Sequence, residues 1–200
     1  MLSARSMQKL TALYRPVSAF LARSLTTPST NCRLTALCKA NSAVISQTIQ
    51  VIDNIIRGKD AYAANKIFTA QCPIVGTSIG KQFRHIYDHL EEVAIDRLQV
   101  VRDDDKPIDL HYDIRERGSL CETNIGDARQ RALFIQDIFD GVGAHAHMEG
   151  DEQCSLYGSK RLMAYFTLPT GDGAVAANGL GLASTLDREM GFVCHHAIHL

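Results

Sequence analysis

The stretch Thr77-Ser-Ile-Gly-Lys-Gln-Phe-Arg-His-Ile-Tyr-Asp-His-Leu-Glu-Glu92 decides how the rest of the chain is read. Ile79, Phe83, Ile86, Leu90, Val93 and Leu98 recur at steps of four, three, four, three and five, which is the period of an amphipathic helix and not of a strand. At about 100° per residue, His85 lies about 100° to one side of Ile86 and His89 about 60° to the same side. Both histidines therefore border the apolar stripe, where a side chain can reach a neighbouring helix. The bland alternative is a pair of polar residues at a helix seam, because His–x3–His spacing is common by chance.

A second histidine cluster closes the chain: His195, His196 and His199. The stripe there is Leu186, Met190, Val193, Ala197 and Leu200, again at steps of four and three. Relative to Val193, Glu189 falls at about −40°, His196 at about −60°, His199 at about −120°, and His195 points nearly away. His196 is the first ligand candidate on this helix and His199 the second. Ser184 is the expected N-cap, with acids in the first turn. Two neighbouring helices with flanks of the same hand can hold one metal ion between them.

Between these helices the chain divides by its breakers. Leu34, Leu37, Cys38, Ile45, Ile49, Ile52 and Ile56 mark a first helix over about 34–57, stopped by Gly58. Residues 59–76 read as a connector, with Pro73 and Gly76. Asn124 is the expected cap of a third helix, which Gly141 and Gly143 should end, leaving His145 and His147 in a loop. Residues 162–168 suit a short strand, and Gly171–Gly181 a flexible loop without a phosphate-binding pattern.

Composition narrows the classes. With 46% hydrophobic residues the chain can build a core, and a net charge of −1 gives no footing for nucleic acid. No apolar run approaches the ~20 residues that span a membrane. Six cysteines occur without a Cys-x2-Cys pair, so reduced, structural thiols are expected. Residues 1–33 form a separate basic extension; no Asp or Glu occurs before Asp53. A basic, hydroxyl-rich, acid-free start has the character of an organellar transit peptide, mitochondrial or other; otherwise the protein belongs in the cytoplasm.

Three segments together resemble the DinB-like family, in the wider group of DinB and mycothiol- or bacillithiol-dependent transferase domains. They are Ser78–His89, then Tyr112–Gly118 with Glu122-Thr123, then Ser184–His199. The likeness covers residue 40 to the end, within a domain running from 34 to 200. It implies an all-α, up-down-down-up four-helix bundle, here with the fourth helix cut short. It also implies a divalent metal held by three histidines, transferase or hydrolase chemistry on a small molecule, and a homodimer. By position the ligands would be His85, His196 and the residue four further on, which is Leu200 and not histidine. His199 is the stand-in, giving the expected set His85, His196 and His199 for zinc, nickel or iron. Such an ion would activate a water or a thiol, with Glu189 or Asp88 as orienting groups and Arg115 and Arg117 toward an anionic substrate. The rival expectations are a non-catalytic metal-binding or interaction bundle and a truncated, inactive copy.

Overall fold

The computed structural model describes residues 32–94, 107–112, 118–149, 151–166 and 180–199. Residues 1–31 of the basic extension, Leu98, Arg115, Arg117, Leu200 and most of the glycine-rich segment lie outside these residues. The described chain is mostly helical and carries one small three-stranded sheet.

Helix α1 (Arg33–Ile56) buries Leu34, Cys38, Asn41, Ile45, Thr48 and Ile52, at alternating steps of four and three. Two polar residues, Asn41 and Thr48, lie in this stripe, and each places its donor on a backbone carbonyl. Asn41 donates to the carbonyls of Leu37 and Met190, and Thr48 donates to Ile45 O and accepts from the Tyr87 hydroxyl at 3.1 Å. Gly58, at φ +70°, follows the end of the helix in the left-handed region expected of it.

The connector contains a helix that the sequence pattern did not disclose. Helix α2 (Ala61–Thr69) starts at Asp60, whose carboxylate accepts from Ala63 N at 2.7 Å, and buries only Ala64 and Phe68. Helix α3 (Ile79–Ala94) is the histidine-bearing helix. It buries Phe83, Ile86, Leu90 and Val93 as expected, with Tyr87 and His89 beside them. Gly80 is needed for close approach: a Cβ there would sit 2.1 Å from Glu122 O and 2.8 Å from Phe68 Cε1.

Strand β1 (Ile108–His111) and the one-turn helix α4 (Leu120–Thr123) precede helix α5 (Ile125–Glu149). Asn124 caps α5 as expected, its Oδ1 accepting from Gly126 N and Asp127 N. Gly141 and Gly143 do not end this helix, and His145 and His147 are helical rather than in a loop. The apolar stride continues through Val142 to the buried Ala146, so packing on α1 offsets the poor propensity of glycine. Gly143 serves that packing, since a Cβ there would lie 3.0 Å from Cys38 Cβ.

Helix α6 (Asp151–Gly158) leads to strands β2 (Arg161–Phe166) and β3 (Leu180–Thr185), and the chain reaches helix α7 (Leu186–Ile198). β2 pairs in parallel with β1, Ile108 opposite Leu162, and antiparallel with β3, Leu162 opposite Ser184. The expected short strand is thus the centre of a small sheet, and the all-α expectation holds broadly: the described residues are mostly helical. Thr185, not Ser184, caps α7, its hydroxyl accepting from Arg188 N. Cys32 is disulfide-bonded, which corrects the expectation of reduced thiols throughout; Cys38, Cys72, Cys121 and Cys194 are free.

Long-range contacts set the helix directions. Thr35 meets Gly143 O near one end of the α1–α5 pair and Arg129 meets Asp53 near the other, so these helices run antiparallel. Arg33 pairs with Asp187 and Asn41 with Met190, early residues with early residues, so α1 and α7 run the same way. α3 packs on both α5 and α7. Leu34, Ile45, Ile52, Leu90, Ile135, Phe139 and Met190 fill the shared core.

Candidate metal centre

Three imidazoles converge where α3 meets α7. His85 and His89, one turn apart on α3, come from the flank assigned to them by helical angle; His196 comes from the matching flank of α7. The nitrogens of His85, His89 and His196 that can bind an ion all lie within 4.8 Å of one another. His85 Nε2 and His196 Nε2 approach to 3.2 Å. Ring centroids are 4.6 Å apart for His85–His89, 5.2 Å for His85–His196 and 4.6 Å for His89–His196.

These distances test the fit of a metal. Zinc–nitrogen bonds of about 2.0–2.1 Å put the ligand nitrogens of a tetrahedral site roughly 3.3 Å apart. The His85–His196 pair is already at that spacing. The widest separation in the trio needs to close by no more than roughly 1.5 Å, a rotamer-scale adjustment. Neutral imidazoles suit zinc, nickel and iron, so donor chemistry and spacing both fit.

His199 is not brought to this point. It is the C-cap residue of α7, exposed, with its ring 4.3 Å from that of His195. One step along a helix is about 100° of rotation, so the residue next to the position four beyond His196 faces elsewhere. His89 takes the third place. The signal for it was present in the sequence, since His89 lies on the same flank as His85 and nearer the stripe.

Aromatic rings surround the trio on the sheet side. Tyr112, immediately after β1, leans its ring on His89 at 5.0 Å; Phe192, one turn before His196, lies nearly parallel to that imidazole at 5.8 Å. Tyr112 stacks on Phe166 at the end of β2, and Phe192 meets both edge-on. The sheet is what carries Tyr112 and Phe166 to the helices.

The Tyr112 hydroxyl donates to Glu189 Oε2 at 2.6 Å. Glu189 is wholly buried and its other oxygen is met by the Ser184 hydroxyl and the Arg188 guanidinium. Burial, and the bond to the neighbouring carboxylate, push the Tyr112 phenol well above its ordinary value, so it remains a donor. Glu189 therefore secures Tyr112, and through it β1, to α7. Asp88, the other acid expected near the site, is held elsewhere: Arg84 and Arg131 both bind it, on the opposite flank of α3.

That flank is an ion network. Arg131 of α5 forms a fork with Glu91 (Nε–Oε1 2.7 Å, Nη2–Oε2 2.6 Å) and reaches Asp88 Oδ1 at 2.9 Å; Arg84 Nε pairs with Glu122 Oε1 at 2.7 Å. It fixes the rotation of α3 about its axis and so the direction in which His85 and His89 point. The pattern Arg84, Asp88, Glu91 at helical steps was legible as a charged face, but its partner Arg131 lies 40 residues from Glu91.

No helix among the described residues is long and apolar enough to cross a membrane. Comparison of the chain with protein-family models, with curated proteins and with solved structures returned no match.

Proposed function

We propose that this chain is a metal-dependent enzyme of the DinB-like kind, acting on a small molecule by group transfer or hydrolysis. The observation that carries the proposal is the convergence of three imidazoles from two helices within 4.8 Å. His85, His89 and His196 hold the ion, and a set of three neutral nitrogen ligands leaves at least one coordination position for substrate or water, the arrangement of catalytic rather than structural zinc sites. A divalent ion bound there supplies Lewis acidity, which lowers the pKa of a coordinated water or thiol toward neutrality.

The chain's own residues do the rest. Tyr112 and Phe192 flank His89 and His196, limit the freedom of the imidazoles and keep bulk water from that side. Glu189 locks Tyr112 in place. The antiparallel α1–α5 pair and the parallel α1–α7 pair support the matching up-down-down-up architecture, with the sheet as an addition near the site. A homodimer and an organellar address for residues 1–33 belong to the same proposal.

The test is metal content. Untagged protein purified with zinc or nickel is expected to carry about one tightly held equivalent. His85→Ala is expected to lose it while its far-UV circular dichroism stays that of the wild type. Less than a tenth of an equivalent in the wild type would defeat the proposal. A screen of thiol-transfer and hydrolase substrates, with the His85→Ala protein as control, separates enzyme from passive binder.

A further inference from the structure

Two histidines of the C-terminal cluster take no part in the trio. His195 and His199 both lie exposed on the last turn of α7, four residues apart, with ring centroids 4.3 Å apart and planes inclined at 52°. Residues four apart on a helix are surface neighbours, so their ring nitrogens can face a common point. His196, between them, is turned inward to His85.

We propose that His195 and His199 form a second, outer binding site for a first-row divalent ion. Two neutral imidazoles supply a bidentate chelate, and water completes the coordination. The place favours a cation for an independent reason. The free carbonyls at a helix C-terminus carry partial negative charge, and His199 is the residue that caps α7, its backbone N–H donating to His196 O at 3.2 Å. Imidazole ligands select nickel, copper or zinc, with copper the tightest of the three, and they disfavour magnesium and calcium. An ion held across the last turn also clamps residues 195–199 in helical geometry. The outer site stands on different residues from the trio, so either can exist without the other.

Equilibrium dialysis of untagged, metal-free protein against nickel tests this, with three proteins side by side. The wild type is expected to bind about two equivalents in two affinity classes. His195→Ala/His199→Ala is expected to lose the weaker class and keep the tighter; His85→Ala is expected to do the reverse. Both changes of the outer pair are on exposed side chains, and circular dichroism checks that the fold is kept. Hydrogen exchange gives a second readout: nickel is expected to slow the amides of residues 195–199 in His85→Ala, and not in the double variant. The outer site is overturned if the double variant binds as many nickel ions as the wild type with unchanged affinities, or if the wild type shows the tight class alone. Failure of the trio would look different: the tight class would be missing from the wild type while the weaker one still disappeared with His195 and His199.

Discussion

Replacing Arg131 with methionine tests how α3 is held at the angle that aims its histidines. The guanidinium makes three hydrogen bonds of 2.6–2.9 Å to Glu91 and Asp88, and a fourth contact of 3.1 Å to Cys121 Sγ. The side chains of Arg131, Asp88 and Glu91 are 18%, 12% and 23% exposed. These groups are closer to buried than to surface ion pairs, and removing one partner of a buried pair costs about 3–5 kcal/mol. Asp88 keeps Arg84, and water reaches Glu91, so the lower end applies, about 3 kcal/mol. With a urea slope of about 2 kcal/mol per molar, the unfolding midpoint should fall by roughly 1.5 M. The assay is urea unfolding followed by circular dichroism and by tyrosine fluorescence, to check that the two transitions coincide. A loss under about 1 kcal/mol, the value of an exposed pair, would show that this network does not fix α3 against α5.

Tyr112→Phe keeps the ring on His89 but deprives the buried Glu189 of a donor; a loss of about 1–3 kcal/mol is expected in thermal or urea unfolding, and an unchanged midpoint would show that the Tyr112–Glu189 bond is not what ties β1 to α7. Gly80→Ala forces a methyl group against the Glu122 carbonyl and the Phe68 ring, so a destabilisation of about 1–3 kcal/mol or more is expected; a neutral effect on the unfolding midpoint would mean that α3 and α4 are not in contact there. Thiol alkylation mapped by mass spectrometry should mark Cys72 first and Cys38 last. Backbone N–H groups of Val75 and Ile74 favour the Cys72 thiolate and lower its pKa, whereas burial, with Asp140 and Asp187 nearby, pushes Cys38 up to about 12. Raising the pH from 7 to 9 should therefore speed Cys72 and leave Cys38 unreacted; prompt reaction of Cys38 in the folded protein would contradict its burial.

The elements that were legible share one property: their apolar residues repeat at helical steps over several turns. That holds for α1, α3, the first half of α5 and α7, all defined by local sequence. α2 escaped because it is only nine residues long and buries just two side chains, too short for a stripe repeated over several turns. β1 and β3 escaped because what makes them strands is a partner far along the chain: Asp109 faces Met163, and Gly181 faces Tyr165. Gly141 and Gly143 were read as a stop because propensity is local, while the contact of Gly143 with Cys38 is not. The site followed the same division. Helical angle placed His85, His89 and His196 on facing flanks, and the structure brings these rings together. Choosing the third ligand required the packing of α3 on α7, which favours His89 over His199. The aromatic wall and the Tyr112–Glu189 bond depend on the sheet, so no local pattern announced them.

His85, His89 and His196, and not His199, are proposed to enclose one ion. This is tested most directly by zinc affinity measured side by side for the wild type, His89→Ala and His199→Ala, in competition with a chromophoric chelator. His89→Ala is expected to weaken the tight site by more than about 100-fold, beyond the 10–100-fold usual for residues that only support a ligand, and His199→Ala to leave it unchanged. Tight binding that survives in His89→Ala, or is lost in His199→Ala, would contradict this ligand set.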